Sequence, residues 1–227
     1  MTYVMTDLHG CFRAFMQMLE EIEFSDNDRL IIAGDIIDRG SQNYEMLNWM
    51  LHKSDNIEIC MGNHDENFIE YVDLLEKYMQ REANIMEAYR IIKENDVSFD
   101  YYGTLHKLIA FNHVEIEQFV KWRDCMKQFP YYIELGVDDR EYIVVHAGYC
   151  LNIPKERSHV RIEDMYTKAR WQALEWGGKQ DTTIIAGHTP TITTSQPFYS
   201  NGKIFRYEKP EMNCVIYNID CGYVFHG

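Results

Sequence analysis

The chain has 227 residues, 46% of them hydrophobic and 26% charged, with a formal net charge of -14. That is enough apolar material for one sizeable core, and no uninterrupted apolar run approaches the roughly 18 residues of a membrane-crossing helix. The acidic balance argues against extended nucleic-acid binding, which takes a basic surface, but not against a phosphate ligand, because bound divalent cations reverse the local field.

The first residues, Met1-Thr2-Tyr3-Val4-Met5, enter a strand pattern directly, without the basic and apolar regions of a signal peptide, so a cytoplasmic protein is expected. Cys11, Cys60, Cys125, Cys150, Cys214 and Cys221 are scattered singly with no C-x-x-C pair. This speaks for reduced thiols and against zinc-ribbon or thioredoxin-like sites.

Val4-Met5-Thr6-Asp7-Leu8-His9-Gly10 reads as a strand ending in a polar turn, followed by Phe12, Phe15, Leu19 and Ile22 at helical spacing. Leu30-Ile31-Ile32 is a second strand. It runs into Ala33-Gly34-Asp35-Ile36-Ile37-Asp38-Arg39-Gly40, and Tyr44, Leu47 and Leu51 then mark a helix. Ile57-Glu58-Ile59-Cys60-Met61 is a third strand, closed by Gly62-Asn63-His64-Asp65, with a helix expected from Asp65 or Glu66. Three successive βα units predict parallel strands with right-handed crossovers. Residues just past such strand ends converge on one edge of the sheet.

From about 66 to 129 the pattern becomes helical and rich in Tyr, Met and Phe, with a break at 95–103 and further helices near 105–111 and 116–126. We read this as an insertion that overhangs the site, its aromatics serving mainly as core. Tyr132-Ile133-Glu134-Leu135 and Tyr142-Ile143-Val144-Val145 form a hairpin around a turn at 136–139, and the second strand ends in His146-Ala147-Gly148. One helix is expected over 162–176, carrying Arg170. Thr182-Thr183-Ile184-Ile185-Ala186 is a strand ending in Gly187-His188, and alternation over 204–207 and 215–219 predicts further antiparallel strands. No linker, repeat or low-complexity tract divides the chain, so a single domain over 1–227 is expected.

Five strand ends thus carry metal-binding side chains: Asp7 and His9, Asp35, Asn63, His146, and His188. All are oxygen or imidazole donors, a set suited to Mn, Fe, Zn or Ni. One ion would not need them all; two would, with Asp35 in the central turn as the bridging carboxylate. Two such ions hold a shared hydroxide and clamp a phosphoryl oxygen. Arg39 supplies a bidentate cation for phosphate. His64 supplies a general acid, and Asp38 orients it and keeps it protonated. His52, His106, His113, His159 and His226 lack such turns and read as surface or core residues.

Asp7-Leu8-His9, Gly34-Asp35-Ile36-Ile37-Asp38-Arg39-Gly40, Gly62-Asn63-His64-Asp65, His146-Ala147-Gly148 and Gly187-His188 resemble, in order, the five signature blocks of the calcineurin-like metallophosphoesterases. The D-R-G ending of the second block is similar to the bacterial and phage serine/threonine phosphatase branch. The resemblance implies an α+β fold, a four-layer α/β/β/α sandwich with two mixed β-sheets. It implies one divalent ion on Asp7, His9 and Asp35 and a second on Asp35, Asn63, His146 and His188, with manganese the expected metal. Arg39 and Asn63 would bind the substrate phosphate. Arg170 is the best-placed second phosphate-binding arginine, ahead of Arg157 and Arg161.

Two features depart from the family pattern: Asp65 stands where many members have glutamate, and the helical insertion has no match to their protein-substrate grooves. The expected activity is hydrolysis of phosphomonoesters by a metal-bridging hydroxide without a phosphoenzyme, on a phosphorylated protein or a small phosphoester. The main expectation is a serine/threonine protein phosphatase; the alternative is a symmetrical dinucleoside tetraphosphate hydrolase. A non-catalytic binding module is the remote alternative, since no ligand position is lost. Oligomeric state is not legible.

Overall fold

In the computed structural model of the chain, residues 1–81, 84–151, 153, 155 and 160–226 are described, 225 and 226 by backbone only. Three βα units open the fold: β1 (Thr2–Met5) and α1 (Phe12–Glu21), β2 (Arg29–Ile32) and α2 (Asn43–His52), β3 (Ile57–Ile59) and α3 (Asn63–Met79). The strands pair in the order β1-β2-β3 and all run parallel, Val4 opposite Ile31 and Ile31 opposite Glu58.

The second sheet comprises β4 (Tyr132–Val137), β5 (Arg140–Val145), β6 (Thr182–Ala186), β7 (Phe205–Lys209) and β8 (Cys214–Asn218), in the order β4-β5-β6-β8-β7. β4 and β5 form the expected antiparallel hairpin, β6 lies parallel to both β5 and β8, and β7 returns antiparallel to β8. Only this sheet is mixed. The first is wholly parallel because each of its connections passes through a helix, which returns the chain to the same end.

Strand periodicity builds the layers. On β2, Leu30 and Ile32 face a helical core with Phe15, Met46 and Phe68. Ile31 and the following Ala33 face the other way, meeting Ile133 and Val144 between the sheets. On β5, Ile143 and Val145 face outward beneath Tyr166 and Leu174. The result is the expected α/β/β/α sandwich, in which each fully buried Leu, Ile or Phe contributes about 1.5–3 kcal/mol.

Between the sheets' sequences, α3 is followed by α4 (Ile85–Asn95), α5 (Thr104–Asn112) and α6 (Ile116–Met126). α3 packs on α4 and α6, and α2 on α5 and α6, with Phe68, Phe99, Phe119 and Trp122 fully buried. Among the described residues no helix is long and apolar enough to cross a membrane.

Two helix boundaries differ from expectation. The stretch 162–176 is two helices, α7 (Ile162–Lys168) and α8 (Trp171–Glu175). The carbonyls of Met165 and Tyr166, which a continuous helix would bond to residues 169 and 170, accept instead from Gly148 and Ala147 at 3.0 and 2.8 Å. α3 starts at Asn63, ahead of the expected Asp65, because the Asp65 carboxylate reaches back to the Gly62 N–H at 3.0 Å and caps the helix from its third position. A short helix, α9 (Tyr223–His226), ends the described chain.

Candidate active site

The turns after β1 and β2 are zipped together through their backbones. Asp7 N–H donates to Gly34 O at 3.1 Å, His9 to Asp35 O at 2.9 Å and Gly10 to Ile36 O at 2.9 Å. To present their side chains on one edge, Asp7, His9, Asp35, Asp38, Arg39 and His188 all take positive φ. Each such non-glycine residue costs about 1–3 kcal/mol, strain that persists at functional sites where the surroundings enforce it. Gly34, at φ 77°, has no room for a side chain: a Cβ there would lie 2.7 Å from Gly62 Cα and 2.9 Å from His146 Nδ1.

Asp35 is the hub. Its Oδ1 accepts from His64 N–H at 2.9 Å, while Oδ2 lies 3.3 Å from His146 Nε2, 3.7 Å from His64 Nε2 and 3.8 Å from His9 Nε2. Around His146 Nε2 stand Asn63 Oδ1 and His188 Nδ1, each at 3.2 Å. Separations of about 3.0–3.4 Å between donor atoms are those of a coordination shell with bonds near 2.1 Å. Asp7 Oδ1 lies 3.6 Å from His9 Nε2, and its Oδ2 holds the His188 N–H at 2.9 Å.

The rings are oriented for ligation. His146 Nδ1 lies 2.7 Å from Ala33 O and His9 Nδ1 2.8 Å from Ile37 O. Each Nδ1 therefore carries the proton, leaving the Nε2 lone pair aimed at the carboxylates. His9 Nε2 is buried without a hydrogen-bond partner. An orphaned imidazole nitrogen among carboxylates fits a cation, and so does the set as a whole. Two groups, His9–Asp35–His64 and Asp35–His146–His188, bring their donor atoms together and share Asp35; the first contains His64 where Asp7 was expected, Asp7 Oδ1 standing 3.6 Å from His9 Nε2.

Asp35 and the rings around it shift one another's proton affinities. Burial works to lower the His146 pKa, yet Asp35 beside it pushes it up to about 10. Burial works to raise that of Asp35, but the ring of His146, then those of His64 and His9, hold it well below the usual carboxylate range. His9 and His188 are depressed chiefly by burial.

Beside the hub, His64 Nδ1 is 2.7 Å from Asp38 Oδ2, and its Nε2 is 3.3 Å from Arg39 Nη2. Burial would lower the His64 pKa, but the Asp38 hydrogen bond and the Asp35 charge raise it above its ordinary value. The raised pKa favours the protonated form of His64.

Arg170 occupies the α7–α8 break, where Nη1 donates to Gln196 Oε1 at 3.5 Å. Its charge helps depress His188. Arg161 caps α7 on the surface and pairs with Asp164. Arg157 and His159 lie outside the described residues.

Three residues join the site without a clear sequence signal, and Asp65, quoted in the third block, gains a role there. Thr104, at the start of α5, donates to Asp38 Oδ1 at 2.5 Å. Tyr102 sets its ring 4.9 Å from that of His64 and 5.6 Å from the Arg39 guanidinium. Asn43 Oδ1 takes the Asp38 N–H at 2.9 Å. The fully buried Asp65 accepts from the backbones of Asp35, Gly62 and Ile36 at 2.9, 3.0 and 3.2 Å, pinning two of the turns. Asp65 does carry one weak cue, an acid three residues after a helix-starting glycine.

Residues 2–227 match the calcineurin-like phosphoesterase family. A symmetrical bis(5'-nucleosyl)-tetraphosphatase from Buchnera aphidicola subsp. Baizongia pistaciae is 32% identical over 102 residues, 44% of this chain and 35% of that protein. One of the same name from Haemophilus ducreyi is 43% identical over 65 residues, 28% of this chain and 24% of its own length. The aligned stretches thus span about a third or less of these curated relatives. A crystal structure of a proposed diadenosine tetraphosphatase superposes with a TM-score of 0.57 at 15% identity, covering 99% of this chain and 84% of that one. A protein serine/threonine phosphatase from Saccharomyces cerevisiae gives 0.51 at 13% identity, covering 94% and 65%. These two likenesses establish the fold.

Proposed function

The chain belongs to the calcineurin-like phosphoesterase family, and on that footing we propose that it hydrolyses dinucleoside tetraphosphates symmetrically, at a centre taking two divalent cations. Asp7, His9 and Asp35 would hold one ion and Asp35, Asn63, His146 and His188 the other, with manganese the proposed metal. When bound, the ions supply Lewis-acid polarisation of the phosphoryl group and activation of water at neutral pH.

The chain's own residues do the rest. Arg39, with Asn63 and Arg170, binds non-bridging phosphate oxygens. His64 Nε2, 3.3 Å from Arg39 Nη2, faces the same position and protonates the departing oxygen. Asp38 and Thr104 fix that ring. The water oxygen forms one new P–O bond, the central bridging P–O bond breaks, and two nucleoside diphosphates leave.

The observation that carries the chemistry is the Asp35 carboxylate, common to the donor groups His9–Asp35–His64 and Asp35–His146–His188, with Asp38 and Arg39 against the His64 ring. The substrate choice is supported by the curated relatives, whose name matches the expected alternative and displaces the protein phosphatase as the leading reading. Incubation of the manganese-loaded protein with diadenosine tetraphosphate should release ADP alone. ATP with AMP, or no turnover of this substrate alongside rapid dephosphorylation of a phosphoserine peptide, would contradict the proposal.

A further inference from the structure

A cleft of about 650 Å³ opens beside Arg39, between the start of α1, the turn leading into α2, Tyr102 and Tyr223. That volume suits a small-molecule ligand. Charge then sets the ligand's class. The chain has 36 acidic residues against 22 Lys and Arg, yet none of the residues lining this cleft is acidic, and two are arginines, Arg13 and Arg39.

Arg13 is exposed, and among the described residues its guanidinium has no hydrogen-bond or ion-pair partner. Its backbone N–H is held by Gln42 Oε1 at 3.0 Å, which ties the first turn of α1 to the entry of α2. Neither helix is capped by the side chain at its N-cap, Cys11 or Gln42. With Gln42 Oε1 already on the first turn of α1, the uncapped start of α2 adds its positive end to the two arginines.

The cleft also has an aromatic wall. Tyr102 leans on Arg39 and His64. Tyr223 is 60% exposed and meets no other aromatic ring among the described residues. An anion-attracting channel that begins at the phosphate-binding arginine and continues past an open aromatic face matches a nucleotide.

We propose that this cleft seats the departing nucleoside diphosphate, Arg13 holding its outer phosphate and Tyr223 stacking on its base. The assignment rests on the tetraphosphatase reading for the identity of that leaving group. Base–aromatic stacking tolerates any base, so the site selects for a nucleotide rather than for adenine.

The test is calorimetric titration of ADP, and separately of inorganic tripolyphosphate, into the manganese-loaded protein. Arg13→Glu should weaken ADP binding about tenfold or more, the loss of a charge-assisted contact. Lys121→Glu, which makes the same charge change on α6 away from the cleft, should leave it unaltered. Tyr223→Ala should weaken ADP but not tripolyphosphate. Absence of ADP binding by the unmodified protein, or equal weakening by the Arg13 and Lys121 variants, would overturn the assignment. The two readings fail separately. Arg13-dependent ADP binding without tetraphosphate turnover would defeat the tetraphosphatase reading alone, whereas ADP release by an Arg13→Glu variant indistinguishable from the parent would defeat the cleft alone.

Discussion

Thr104→Val removes one hydroxyl and almost no volume. Both Thr104 and Asp38 are buried, at 1% and 6% exposure, so water does not replace the lost donor. The substitution leaves Asp38 Oδ1 without the 2.5 Å hydrogen bond from Thr104. A hydrogen bond to a charged group is worth about 1.5–3 kcal/mol, or about 10- to 150-fold in rate if all of it is expressed in placing His64. Asp38 keeps its bond to His64 and the Asn43 grip on its N–H, so the lower end, about 10- to 30-fold, is expected. The assay is steady-state hydrolysis of diadenosine tetraphosphate, a phosphoserine peptide and nitrophenyl phosphate. The loss should appear in kcat and be largest on phosphoserine, whose alkoxide leaving group most needs a proton. It should shrink on nitrophenyl phosphate, and Thr104→Ser should restore most of it. A Thr104→Val enzyme matching the parent on all three substrates, or one losing activity only through KM, would refute the claim that Thr104 positions the acid.

His64→Asn should cost about 10²- to 10⁴-fold, again most on the alkyl phosphate; near-normal turnover with manganese present would remove His64 from the acid role. Asp35→Asn should cost at least about a hundredfold, since even partners one step removed from a metal ligand cost 10–100-fold, and equilibrium dialysis should show lowered manganese uptake. Manganese at about 100 times its Kd stabilises a folded state that binds it by about 2.7 kcal/mol, or about 5–11 °C in Tm for a chain of this size. Thermal melts of Asp35→Asn should show much less of that shift.

Most of the fold's first half was legible because its signals are local. Leu30-Ile31-Ile32 is a bare apolar run, and helical spacing resumes within a dozen residues of it. The same locality made Asp35, Asp38, Arg39, Asn63 and His64 visible, since each lies in a turn closing a strand. The α7–α8 break was not legible: no Pro or Gly interrupts 162–176, and the carbonyls that end α7 are drawn away by Ala147 and Gly148, distant in sequence. Thr104 and Tyr102 escaped for a similar reason. An aromatic or hydroxyl residue in a helical insertion is core or surface until tertiary packing sets Thr104 against Asp38, 66 residues away, and Tyr102 against His64 and Arg39. The strand-end turns do not separate the two substrate readings, because they serve the phosphate common to both; the cleft proposed to seat a nucleotide is lined instead by Arg13, Tyr102 and Tyr223.

Anomalous diffraction from crystals of the manganese-loaded protein tests the centre most directly. Two peaks should appear on either side of the Asp35 carboxylate, one among Asp7, His9 and Asp35 and the other among Asp35, Asn63, His146 and His188. A single peak, or an ion held by His64 in place of Asp7, would contradict it.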